Sequence, residues 1–245
     1  MDCQSLLALL NRPNAVDLLR EYFGVGNPGQ RPAFAGGRFD LLDGGGDRSA
    51  VRNVITASDI VAVSFLSVPI PAEVSIDLLE GQLGQEIRGY LERIPVDIDL
   101  GDPRATRHVQ LHQPADRAWQ LLDSGRGMGF VRNGKLLARK RPRLIPVYDD
   151  VVRCAYQVPD PQLFWLWLDD LLRTCPGATD RLDDLKEEAE LPYGVSRLRV
   201  LDVLVWRGHR DNHMKQGCPG PTPSSPSPAD PNAENAVTPS GDPDV

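Results

Sequence analysis

The sequence is short of several residue types from which sites are commonly built. It has four cysteines, Cys3, Cys154, Cys175 and Cys218, with no close pair. That spacing is neither a zinc ribbon nor a disulfide framework, and it fits a reducing compartment. Four histidines and four lysines stand against 23 arginines, an excess that reads as compositional bias rather than as a nucleic-acid signal. No long apolar run is present: the longest uncharged one, Ile60 to Ala72, is too short to span a bilayer and is broken by Pro69 and Pro71. The opening Met-Asp-Cys-Gln lacks the positive cluster of a signal peptide. A soluble, cytoplasmic protein without a membrane partner is expected. No Ser-His-Asp order, phosphate-binding P-loop or His-Glu-x-x-His motif occurs, and no cofactor is expected.

From Cys218 to Val245 the chain carries eight prolines, no Lys or Arg and no aromatic. Such a segment buries too little apolar surface to offset the entropy of ordering, so residues 218–245 are expected to be a disordered tail. It reads as a solubilising end or, through its Pro-Ser alternation, as a docking segment. Residues 1–217 are expected to form a single helical domain. Without the tail the formal charge moves from −7 to about −3, so any nucleic-acid surface has to come from a local patch.

Helical periodicity dominates that body. Leu6 to Leu10 and Val16 to Phe23 predict two short helices separated at Pro13, the second ending near Gly24. Residues 24–50 are rich in Gly and Pro and read as a long loop, in which Phe34 and Phe39 are expected to pin a small turn to the core. Thr56 or Ser58 is a candidate cap for the next helix, and Pro71 suits the first turn of the one after it. Further helices are expected over about 85–94, 118–122, 131–139 and 161–172, and from a cap at Thr179 or Asp180 to about Glu190. Ser196 to Trp206, apolar on most faces, reads as a buried helix, with a strand as the competing assignment because Val200, Val203 and Val205 are β-branched. The fold class is therefore mainly α, a multi-helix globular domain.

The chemically richest stretch is Gly125 to Asp150. Leu121 and Leu122 close one helix, Gly125, Gly127 and Gly129 form a Gly-rich hairpin, and Lys135 to Ala138 belong to the next helix. Glycines at such a turn expose successive amides at a helix N-terminus, a geometry that binds phosphate oxygens. From Gly125 to Arg153 eight basic residues meet two acids, a local charge of about +6. Gly127, Gly129, Arg132, Lys135, Arg139, Lys140, Arg141 and Arg143 are thus candidate contacts to a nucleic-acid backbone. The competing account is an ordinary inter-helix turn followed by a solvated basic face.

The hairpin resembles the helix-hairpin-helix motif of base-excision DNA glycosylases. In that family an aspartate follows the hairpin by about twenty residues, after a short apolar run. Here Asp149 stands twenty residues beyond Gly129, after Leu144-Ile145-Pro146-Val147 and Tyr148. The resemblance implies DNA as partner and Asp149 as a catalytic carboxylate of a hydrolase. The lysine of the bifunctional members would fall near Val131, so it implies no Schiff-base chemistry. Read from the residues alone, Asp149 is a helix N-cap opening Asp150 to Tyr156.

Over the whole body the chain resembles a family of actinobacterial proteins of unassigned function. Phe34 to Phe39, Ile55 to Ala62, Lys135 to Pro142, Ile145 to Asp149 and Leu198 to Val203 carry that resemblance, which implies one continuous domain and no particular activity. Other readings of the chain are a protein-interaction module docking an acidic partner through the arginines, and a metal site. The second rests on His108 with His112 and His209 with His213, each pair spaced i, i+4. Pro114 follows one pair and Gly208 precedes the other, so neither pair is assigned a metal.

Overall fold

A computed structural model describes residues 1–26, 32–124, 127–158 and 160–216. The Pro/Ser-rich segment and the hairpin residues Gly125 and Arg126 lie outside the described residues, as do the side chains of 161, 162 and 211–216. Twelve α-helices and two short 3-10 turns account for the regular structure described, and no strand occurs among these residues.

Local chemistry sets most boundaries. α1 (Cys3–Leu10) begins where the Asp2 carboxylate accepts from the Ser5 amide at 2.8 Å. After Pro13, α2 (Ala15–Phe23) ends at Gly24, whose φ of +70° glycine adopts without the steric penalty of a Cβ. Thr56 and Asp59 form a reciprocal capping box at the head of α3 (Ala57–Ser64). Pro71 precedes α4 (Ala72–Glu80), and α5 (Gln82–Leu91) begins and ends about three residues earlier than the sequence pattern suggests.

A four-residue α6 (Thr106–Val109) interrupts the acidic connection to α7 (Pro114–Asp123). Then come α8 (Gly129–Lys140), α9 (Asp150–Tyr156), α10 (Pro161–Thr174), α11 (Ala178–Glu188) and α12 (Arg197–Gln216). The cap of α11 is Gly177 at φ +77°, not Thr179 or Asp180, which lie within its first turn.

The strand alternative for 196–206 fails. Val200 and Val203 share one side of α12 and Val205 points to another, yet all three are buried, because α1, α2, α9 and α11 pack around it. Burial on most faces overrides the weak β preference of branched side chains. Residues 32–50 are likewise more ordered than their Gly and Pro content suggests: they contain 3-10 turns at Ala35–Arg38 and Leu42–Gly44, and Phe39 is buried. A single hydrophobic cluster runs from Leu6 on α1 to Val205 on α12, so the described body is one domain.

The cysteine expectation is corrected. Cys3 on α1 and Cys175, one residue past α10, are joined in a disulfide with their Cα atoms 5.2 Å apart. A separation of 172 residues hides that pairing from any reading of local spacing. The inference to a reducing compartment therefore loses its premise. No helix among the described residues is long and apolar enough to cross a membrane.

Candidate functional site

The cations of α8 do not form a solvated face. Arg139, Lys140 and Arg141 are 2%, 0% and 1% exposed, and Lys135 is 3% exposed. A charged head that leaves water needs a full set of partners, and each of these finds one. Arg139 donates to Asp59 Oδ1 at 3.1 Å and to the carbonyls of Phe39 and Leu42, both at 2.5 Å. Lys140 donates to Asp59 Oδ2 and to the carbonyls of Val51 and Val54, each at 2.9 Å.

Arg141 has no carboxylate among its hydrogen-bond partners. It donates to Asn53 Oδ1 and to the carbonyls of Ile94, Arg52 and Leu91. Burial draws its guanidinium down to about 10. Burial also lowers the Lys140 ammonium, while Asp59 opposes the shift.

These three residues brace the 39–54 segment and the end of α5 from inside, so neither a phosphate strand nor an acidic partner can reach them on the folded protein. Of the other candidates, Arg143 is exposed and pairs with Asp99. Arg132 donates to the Pro69 carbonyl at 2.7 Å and to that of Gly127 at 2.9 Å. Gly127 and Gly129 take φ +78° and +63°, so the turn before α8 requires them.

The sequence candidates Lys135 and Asp149 meet in a pocket of about 550 Å³. Its walls come from α2, the Phe34–Gly36 turn, the segment after α3, the inner face of α8, the start of α9 and the middle of α12. Gly127 and Gly129 are not in its lining. Asp149 is the N-cap of α9 and also a pocket residue. Its Oδ1 accepts from the Val151 and Val152 amides at 3.1 Å, and its Oδ2 lies 3.5 Å from Lys135 Nζ. The cap thus orients a carboxylate whose other oxygen faces the cation. Lys135 also donates to the Leu66 carbonyl at 3.0 Å. Burial lowers its ammonium below the ordinary lysine range, while Asp149 and Asp202 raise it.

The pocket adds residues that the sequence pattern did not single out. Arg199 on α12 lies between Asp40, at 2.9 Å, and Asp202, with further bonds to Tyr22 Oη at 2.8 Å and the Gly36 carbonyl at 2.9 Å. Burial pushes Asp202 up to about 7 against the pull of Arg199, and the Asp149 charge adds to the rise. Gly36 allows this closeness, since a Cβ there would stand 2.1 Å from Tyr22 Oη. The available signal was Arg199 and Asp202 at i, i+3 within the otherwise apolar stretch Leu198 to Trp206, where charges are costly unless paired. Phe34 and Trp206 complete an aromatic wall, with ring centroids 5.4 Å apart.

The histidine pairs do not assemble a site. His108 Nε2 accepts from Arg107 Nε at 3.2 Å, and His112 stands at φ +67° past the end of α6. His209 and His213 fall on α12, the His213 side chain outside the described residues. No group of three or more His, Cys, Asp or Glu suited to a metal ion occurs among the described residues.

In comparison with known protein families, residues 15–209 fit a family described as "Family of unknown function (DUF6308)". No curated protein and no solved structure matches the chain. The matched span contains every residue named in the pocket.

Proposed function

The chain belongs to the DUF6308 family, whose function is unknown, and from the pocket itself we propose a hydrolase in which Asp149 and Asp202 divide acid–base work. The observation that carries this reading is two carboxylates lining one pocket in different environments. Asp149 is held at the head of α9 with one oxygen directed to Lys135. Asp202 is buried and pushed up to about 7, so near neutrality a large fraction carries a proton. Carboxyl groups separated in this way by their surroundings suit a base and an acid. Asp149 takes a proton from an attacking water, Asp202 gives one to the leaving group, and Lys135 holds the ligand between them.

The hairpin resemblance to DNA glycosylases makes a C–N glycosidic bond the first bond to test. Because Arg139, Lys140 and Arg141 are interior, a nucleic acid would engage by placing one base in the pocket rather than by lying along α8. The test incubates the full chain with oligonucleotides bearing uracil, alkylated or oxidised bases and reads abasic sites by alkaline cleavage. Asparagine caps helices as well as aspartate does, so Asp149→Asn keeps the fold and removes the base. Its rate is expected to fall about 100-fold or more at unchanged Tm. Absence of base release from every substrate, or an Asp149→Asn variant with full activity, overturns the proposal.

A further inference from the structure

The charges lining the pocket are unevenly satisfied. Its three carboxylates already have cationic partners: Asp149 has Lys135 at 3.5 Å, Asp150 has Arg153 at 2.6 Å, and Asp202 has Arg199. Arg132 differs. It lines the same pocket but bonds only to backbone carbonyls, those of Pro69, Gly127 and Met128, through Nε and Nη1. Its Nη2 makes no hydrogen bond among the described residues.

Lys135 lies three residues further along α8, which on a helix makes the two side chains neighbours. Of its three donor hydrogens, one goes to Leu66 O and one faces Asp149. Outside the lining, Arg210 lies 5.1 Å from the Trp206 ring centroid and 5.7 Å from that of Phe34, which Arg207 approaches at 4.8 Å; Arg207 pairs with Glu21, whereas Arg210 makes no ion pair among the described residues. The unmatched charge at this site is therefore positive, and it faces an aromatic wall.

We propose that the pocket takes a flat ring system bearing an anionic group, with the ring against Trp206 and Phe34 and the anion on Arg132 and Lys135. This deepens the acid–base reading of the same pocket by naming its ligand class. A guanidinium fork and an ammonium side by side supply several donors to a phosphate or carboxylate. The aromatic rings supply stacking area, and Arg210 close to both rings adds positive potential without lining the pocket. The same ligand chemistry has two sources, a free small molecule or one nucleotide unit of a strand.

Isothermal titration of the full chain separates them. The probes are uridine and guanosine 5′-monophosphate against their uncharged nucleosides, indole-3-carboxylate against its amide, and a five-nucleotide single strand. Each anion is expected to bind about tenfold or more tightly than its neutral counterpart, the worth of one charge-assisted hydrogen bond. That advantage is expected to disappear in Arg132→Gln, to return in Arg132→Lys, and to persist in Arg143→Gln, whose side chain lies outside the pocket. A strand that binds more tightly than the monophosphates identifies a nucleic-acid ligand; the reverse order identifies a free one. Equal binding of anion and neutral partner, or no binding of any probe, overturns the inference. The acid–base reading stands or falls separately, on base release by Asp149→Asn.

Discussion

A guanidinium or ammonium leaves water only where acceptors replace it, and the α8 cations show what that costs in composition. Arg139 and Lys140 share Asp59 and four loop carbonyls between them, while Arg141 relies on oxygens with no carboxylate. Removing Arg139 leaves Asp59 with Lys140 alone and takes the donor from the Phe39 and Leu42 carbonyls in the interior. Arg139→Ala is therefore expected to destabilise the fold by about 3–5 kcal/mol. Arg143→Ala, which breaks an exposed pair with Asp99, should cost about 0–1 kcal/mol. Urea denaturation of the two variants checks the contrast, and equal losses would place Arg139 at the surface. Asp202 gives a pH signature. Its folded value lies near 7, above the ordinary 3.8, so the folded state holds this proton more tightly than the unfolded state. The resulting stabilisation is complete below about pH 4 and is lost as pH rises through 7, with a slope of at most about 1.4 kcal/mol per pH unit. Subtracting the pH–stability curve of Asp202→Asn from that of the unaltered chain should reveal this decline between pH 4 and 7. A flat difference would show that Asp202 ionises normally.

At the scale of elements, punctuation was easier to read than orientation. Pro13, Gly24, Thr56 and Pro71 each act on backbone geometry or on the first free amides of a helix, so their effect is local and visible in the sequence. Which face of α8 turns inward is not local. The segment Lys135-Leu136-Leu137-Ala138-Arg139-Lys140-Arg141 alternates apolar and cationic groups in a way that suits either a solvated face or an interior with acceptors waiting. Most of the acceptors come from residues 39–59, and others from Leu66, Leu91, Ile94 and Asp149, all distant in sequence from α8 or at the head of the next helix. Asp149 shows the same division. Its capping role follows from the residues around it, whereas its place beside Lys135 and Asp202 depends on α8 and α12 approaching α9. Gly127 and Gly129 take positive φ, as a turn before α8 needs, but both stand outside the pocket they precede.

For the whole molecule, the longest-range constraint is covalent. The Cys3–Cys175 bond ties the first helix to the end of α10, closing most of the chain into one loop. Such a link acts largely on the unfolded state, whose conformational freedom it restricts, and loops of this size are associated with about 2–5 kcal/mol. Cys3→Ser is therefore expected to lower the Tm by about 5–15 °C in a chain of this length. The pocket is lined from α2, the Phe34–Gly36 turn, the segment after α3, α8, α9 and α12, with no residue of α1 or α10. Ligand binding and base release measured well below the lowered Tm should thus match those of the unaltered chain. Calorimetry with and without dithiothreitol, together with mass mapping of the Cys3 peptide, separates the staple from a simple loss of packing at α1. With the bond present, reductant lowers the Tm of the unaltered chain toward that of Cys3→Ser and moves the variant far less. If mass mapping finds Cys3 as a free thiol in protein never exposed to reductant, the staple between α1 and the end of α10 is absent, and α1 is held by its packing in the helical core.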